Sequence, residues 1–259
     1  MGKTITLNHI TKMEGHAKLD VRIEKGKVKK AELTIFEGSR YFEGIVQCQK
    51  YNEIPSITSR ICGVCSVVHF LTATKAVEDA FNVKVSEQTQ LLRELINIGG
   101  HIQSHVLHLY FLTLPDYVGY DNAIQMASKY KEDVQRALRI KRLGNRIVKI
   151  IGGRDVHPLT VVPGGMSRLP DQSELKSLLE ELKASRKDFV DTVKLFAKLK
   201  YPKFQKCVDY YSLTNKHYNI LNGKIIGMKC NEICTIPIDD YEKHMKEYFQ
   251  EHSTAEFVV

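Results

Sequence analysis

The chain has 259 residues, 43% of them hydrophobic and 26% charged, with a formal net charge of +8. This is the balance of a globular protein with a buried core, and it excludes intrinsic disorder, a collagen-like chain and a coiled-coil rod. The excess of Lys and Arg is scattered over helix faces, with no basic block and no stacking-aromatic motif beside it, so no nucleic acid partner is expected.

Thr4 to Leu7 is a short alternating strand, and Ala17 to Ile23 alternates with period two. Lys25-Gly26-Lys27 is a turn, after which Val28 to Phe36 returns as a strand, so residues 1–36 are expected to form a β-hairpin region with one polar face. From Arg40 the pattern is helical, with Tyr41, Phe42, Ile45, Val46 and Gln49 on one face. A loop with Pro55 precedes a helix predicted from Val64 to Phe81. Glu87 to Leu114 reads as a long helix ended by Pro115, and Asn122 to Ile151 as another ended by Gly152-Gly153. Val162-Pro163-Gly164-Gly165 breaks the chain. Asp171 then opens a helix to about Leu199 with an apolar stripe that includes Leu175, Leu178, Leu182, Phe189 and Phe196. Residues 40–200 are therefore expected to be a helical core.

Residues 201–259 read as a mixed β/α segment. Asn222-Gly223 is a hairpin-turn signal, Pro237 to Phe249 suggests one more helix, and the last residues are Phe257-Val258-Val259. The expected class is α+β, mostly helical: an N-terminal β-hairpin followed by a bundle of long helices. The uncharged run from Leu95 to Pro115 is interrupted by Asn97, His101, Gln103, Ser104, His105 and His108, so no membrane span is expected. Met1-Gly2-Lys3-Thr4 carries no apolar leader, which makes a reducing cytoplasm the expected location.

Six Cys are too few for a disulfide scaffold, and spaced pairs then read as metal or redox sites. The sharpest feature is Arg60-Ile61-Cys62-Gly63-Val64-Cys65, followed by His69. A Cys pair with this spacing at a helix start turns both sulfurs toward one ion, where oriented N–H groups and the helix dipole lower the thiol pKa. Thiolates select nickel, iron, zinc or cuprous copper. His69 lies one helical turn after Cys65, within reach as a ligand or as a hydrogen-bond partner of one. Spacing alone leaves three readings open: a dithiol redox motif, a structural zinc site with Cys230 and Cys234 as second pair, and a catalytic thiolate–metal site.

Several ordered blocks carry a resemblance. Arg60 to Cys65 with His69 resembles the first Cys motif of nickel–iron hydrogenase large subunits. Lys12-Met13-Glu14-Gly15-His16 is similar to that family's Arg-Ile/Val-Glu-Gly-His element. Glu37-Gly38-Ser39-Arg40-Tyr41-Phe42-Glu43 is similar to its E-x-x-R-x-F-E element, with Glu43 placed 17 residues before Arg60. Gly152-Gly153-Arg154-Asp155-Val156-His157-Pro158 and Val162-Pro163-Gly164-Gly165 resemble a later block.

The resemblance implies a hydrogenase large-subunit fold and reversible heterolytic H2 oxidation at a nickel–iron centre, its iron carrying carbonyl and cyanide. It makes Cys62 a terminal nickel ligand, Cys65 a bridge between nickel and iron, and Glu14 a proton relay. Arg60 would stabilise the anionic cluster, and Glu43 would be a carboxylate ligand of a magnesium-type ion. It implies an iron–sulfur small subunit and, from the E-G-S-R-Y-F-E wording, an electron-acceptor subunit of the deazaflavin, NAD(P) or heterodisulfide type in a cytoplasmic assembly. The family's second motif, Asp-Pro-Cys-x-x-Cys-x-x-His, is absent, so the chain is expected to be an N-terminal portion: either it is a fragment, or a second polypeptide supplies the rest with the second Cys pair.

Two other readings stand beside this one. A non-catalytic subunit like the quinone-proximal one of respiratory complex I would lack the nickel-binding Cys, and Cys62 and Cys65 argue against it. The zinc domain would use Cys62, Cys65, Cys230 and Cys234. Taken without context, Glu14 and Glu43 are ordinary surface carboxylates. His101, His105 and His108 read as core or interface histidines, His157 as a turn residue, and Cys48 and Cys207 as buried or free thiols.

Overall fold

The computed structural model describes residues 2–38, 40–204, 207–216, 220–229 and 232–259, the side chain of Lys229 excepted. The chain forms two compact units, one of Met1–Ile45 with Phe204–Val259 and one of Val46–Lys203. Among the described residues no helix is long and apolar enough to cross a membrane.

The first unit opens with strands β1 (Lys3–Leu7), β2 (Ala17–Glu24) and β3 (Lys27–Ile35) in an antiparallel sheet of order β1-β2-β3. The expected hairpin is thus a three-stranded meander. Lys25 and Gly26 have φ of 48° and 72°, the two positive values that a primed two-residue turn requires. Helix α1 (Tyr41–Val46) follows.

The second unit is helical. It holds α2 (Ile54–Thr58), α3 (Ser66–Ala80) and α4 (Glu87–Leu107), the last capped by Ser86 Oγ, which accepts the Thr89 N–H at 3.3 Å. The helix does not stop at Pro115. A π-helical segment, His108–Thr113, leads directly into α5 (Leu114–Val118), whose first turn contains Pro115.

The helix expected from Asn122 is also divided. Short α6 (Ala123–Met126) is capped by Asn122, and α7 (Lys131–Gly152) begins after Tyr130 leaves helical geometry. Met126 is fully buried in a cluster with Val106, Tyr110, Leu114, Ile140 and Phe196, and the break lets α6 and α7 each present an apolar face to it. Gly153 closes α7 with φ 80°, as expected of a C-terminal glycine. The hairpin β4 (Val161–Val162) and β5 (Gly165–Met166) turns at Pro163-Gly164. Helix α8 (Gln172–Ala197) starts where Asp171 Oδ1 accepts the Ser173 N–H at 2.7 Å.

Glycines set how closely these helices pack. A Cβ on Gly144 of α7 would lie 3.0 Å from both the Gln103 nitrogen and the Gly99 oxygen of α4, and one on Gly100 would lie 3.2 Å from Val67 Cβ of α3. The helix that follows Cys65 is thereby seated against α4.

The chain then returns to the first unit. Strands β6 (Tyr210–Thr214), β7 (Lys224–Lys229) and β8 (Glu232–Ile236) form an antiparallel sheet. Asn222-Gly223 is not a two-residue turn: the last β6–β7 pair is Thr214 with Lys224, so it ends a longer loop. Pro237 to Phe249 is not one helix either. A 3-10 turn and the short α9 (Tyr241–His244) give way to β9 (Glu247–Phe249), which pairs with β10 (Glu256–Val258). Strand pairing and the contact of Tyr248 with Phe257, ring centroids 5.6 Å apart, override local helical preference. The tail is fastened to the N-terminal sheet, the Thr254 N–H donating to Ile35 O at 2.8 Å and the Thr254 hydroxyl to Glu37 O at 2.7 Å.

Candidate metal centre

Pro55 is buried in the first turn of α2, and a 3-10 turn, Ser59–Ile61, delivers the chain to Cys62. Cys62 is extended (φ −149°, ψ 133°), and Cys65 is the N-cap residue of α3. Their Cα atoms are 5.4 Å apart and their sulfurs are in contact. The Cys65 N–H donates to Cys62 Sγ at 3.2 Å. Cys62 is 9% exposed, whereas Cys65 is half-buried. Both sulfurs therefore sit at the positive end of a four-turn helix, with an N–H aimed at one of them.

His69 stands one turn into α3, half-buried, and its carbonyl accepts the Thr58 hydroxyl at 3.5 Å. Burial holds its imidazole below the usual histidine range, which keeps the ring neutral near pH 7. Arg60 is exposed in the 3-10 turn. These four sequence-predicted residues thus share one loop–helix segment of the helical unit.

Glu14 and Glu43 belong to the β-rich unit. Glu14 is exposed in the bend between β1 and β2, next to Gly15 at φ 92°. Glu43 is held by Arg40 through two contacts of 3.0 Å. Its carboxyl lies below the ordinary range because of that hydrogen-bonded guanidinium. Arg40 also stacks 4.4 Å over the Phe249 ring.

Among the described residues, no group of three His, Cys, Asp or Glu side chains converges as a metal site. The Cys62–Cys65 pair offers two sulfur donors. That composition fits a soft metal whose remaining ligands come from elsewhere, and it falls short of the four ligands of structural zinc. Of the second pair considered for zinc, Cys234 is exposed and Cys230 lies outside the described residues, as does Ser39 of the E-G-S-R-Y-F-E element. Cys48 is an exposed free thiol, and Cys207 is exposed. His101 and His105 each bond through Nδ1 to the carbonyl one turn back, both at 2.8 Å, so their rings fold along their own helix.

Sequence reasoning missed what braces the segment. Glu78 of α3 and Arg93 of α4 form a doubly hydrogen-bonded pair at 2.7 and 2.8 Å, 6% and 4% exposed. Arg93 also donates to Val162 O and Gly165 O, and the Gly164 N–H donates to Glu78 Oε1. Burial alone would raise the Glu78 carboxyl, but the guanidinium and that N–H outweigh it and leave it below the ordinary range. A signal was available: Glu78 falls on the helix face of Leu71 and Thr74, and Arg93 on that of Thr89 and Ile96, where a charge must be paired.

Residues 40–136 match the family model of nickel-dependent hydrogenases. The alpha subunit of sulfhydrogenase 1 from Pyrococcus furiosus is 37% identical over 97% of this chain and 59% of its own length. The A subunit of the vhu F420-non-reducing hydrogenase from Methanocaldococcus jannaschii is 36% identical over 70% of this chain and 45% of its own. The chain thus spans about half the length of these curated relatives. A crystal structure of an NAD+-reducing nickel–iron hydrogenase in the H2-reduced state superposes with a TM-score of 0.91 at 23% identity, over 99% of this chain and 61% of that one. The nickel–iron–selenium hydrogenase of D. vulgaris Hildenborough gives 0.77 at 27% identity, over 96% and 56%.

Proposed function

We propose that this chain, which belongs to the nickel-dependent hydrogenase family, supplies half of the thiolate cradle of a nickel–iron centre in a large subunit that oxidises H2 reversibly. The observation that carries this reading is the Cys62–Cys65 pair, its sulfurs in contact at the N-terminus of α3. Cys62 and Cys65 would be the residues of this chain that hold the metals, with a second Cys pair contributed from outside the chain. When bound, the centre supplies soft, redox-active metals at which H2 is cleaved heterolytically.

The chain's own residues serve that chemistry. The Cys62 sulfur would be the base for a proton, and Glu14 is the carboxylate proposed as a proton relay. The Arg60 guanidinium lowers the energy of the anionic cluster. Neutral His69 offers a ring nitrogen beside the thiolates without adding charge. Glu43 serves a magnesium-type ion only if Arg40 releases it. Electrons leave through an iron–sulfur small subunit to an acceptor subunit of the NAD(P), deazaflavin or heterodisulfide kind, in a cytoplasmic complex.

The test is co-production of the chain with a polypeptide carrying the second Cys pair and with maturation proteins. Stoichiometric nickel and iron and H2-dependent dye reduction are expected, both lost in Cys65→Ser while helix content is kept. Zinc alone in the purified protein, or unchanged nickel and iron in Cys65→Ser, would overturn the reading.

A further inference from the structure

Two serines bracket the cysteine pair: Ser59, 1% exposed, and Ser66, 2% exposed. A buried hydroxyl is costly unless hydrogen-bonded. Ser59 Oγ donates to Ser56 O at 2.8 Å. Its single proton is thus committed, so in its 3.5 Å contact with His157 Nδ1 the imidazole N–H is the donor. Ser66 Oγ accepts the backbone N–H of His157 at 3.1 Å. One residue therefore grips both ends of the loop that carries Cys62 and Cys65.

His157 holds a backbone conformation that non-glycine residues avoid, with φ 55°. Such conformations persist where the surroundings over-determine them. The loop before it is tied to α4, since Gln103 Nε2 donates to Asp155 O at 3.2 Å. The loop after it is tied to α7, since the Leu159 N–H donates to Gly152 O at 2.8 Å. Pro158 packs on Gly152 so closely that a Cβ there would lie 2.9 Å from the Pro158 Cβ.

We infer that His157 is a positioning residue for the metal-binding loop: its imidazole and its backbone N–H clamp Ser59 and Ser66, and so fix the loop that presents the two sulfurs to one point. The inference rests on the reading of Cys62 and Cys65 as metal ligands. The Gly152–Pro158 block, which lies far from the cysteines in sequence, then acts on the site through this clamp.

The test uses the full chain, reduced and kept anaerobic. One readout is the alkylation rate of Cys62 and Cys65 by iodoacetamide, which needs no metal. The other is Ni(II) titration followed by thiolate-to-metal charge-transfer absorption. His157→Gly relieves the backbone and keeps the N–H to Ser66 but deletes the imidazole. Ser59→Ala removes its partner. His157→Asn tolerates positive φ and restores a side-chain N–H donor.

In His157→Gly and Ser59→Ala, nickel affinity should fall about tenfold or more, as on loss of a group that orients a ligand. Alkylation should accelerate, while circular dichroism stays unchanged. His157→Asn should return both readouts to near wild type. Wild-type alkylation and nickel binding in both His157→Gly and Ser59→Ala, or an Asn variant no better than Gly, would overturn the clamp. Nickel absorption that persists in Cys62→Ser would instead overturn the ligand reading, and the alkylation series would still decide the clamp.

Discussion

Arg93→Met tests whether the buried ion pair is what seats α3, with its cysteine N-cap, against α4 and the β4–β5 hairpin. Met matches the length of the aliphatic stem and removes the guanidinium. Glu78, 6% exposed, would keep one donor, the Gly164 N–H, and lose both guanidinium bonds. Val162 O and Gly165 O would lose the bonds that Arg93 now donates. Breaking one partner of a buried pair costs about 3–5 kcal/mol. At a urea slope of about 2 kcal/mol per molar, the unfolding midpoint should fall by roughly 1.5–2.5 M. Glu78→Met/Arg93→Met removes both charges and leaves only neutral groups to satisfy. The double variant should therefore be more stable than Arg93→Met alone, with a coupling of at least about 1 kcal/mol in the cycle. Urea denaturation of the four proteins, read by circular dichroism, measures all the terms. A loss below about 1 kcal/mol in Arg93→Met, or additive losses in the cycle, would refute the bracing role.

The same pair predicts a pH dependence. The Glu78 carboxyl is depressed in the folded protein, so its contribution is present above the unfolded carboxyl value and is lost as pH falls through the lower folded one. The stability gap between wild type and Glu78→Gln, read as urea midpoints, should be widest near neutrality and close between about pH 5 and about pH 3. Gly144→Ala places a Cβ 3.0 Å from two backbone atoms of α4 and should cost about 1–3 kcal/mol. Gly100→Ala meets only the Val67 side chain at 3.2 Å and should cost less, so equal shifts in Tm would count against this account of the crossing. In an assembled enzyme, Glu14→Gln should abolish H2/D+ exchange with nickel and iron retained, and exchange at the wild-type rate would show that Glu14 relays no proton.

Local chemistry was enough for the long helices and for the cysteine pair. Ser86 and Asp171 announce α4 and α8 by satisfying the first free N–H groups, and Gly153 ends α7 by taking positive φ. The spacing of Cys62 and Cys65 already implied that both sulfurs could face one point. What the sequence could not express was competition between local preference and distant partners. The 237–249 segment has helical composition, yet β9 forms because β10 supplies a ladder. Pro115 reads as a stop signal, yet a π-helical segment carries the chain past it into α5. Glu78 and Arg93 lie on buried helix faces that call for a partner, but that each is the other's partner was settled only when α3 and α4 closed over both. His157 reads as a turn residue, and only folding brings it onto Ser59 and Ser66, 98 and 91 positions away. A hydrogen bond of that sequence separation has no local signature, because its donor and acceptor are brought together by the packing of helices between them.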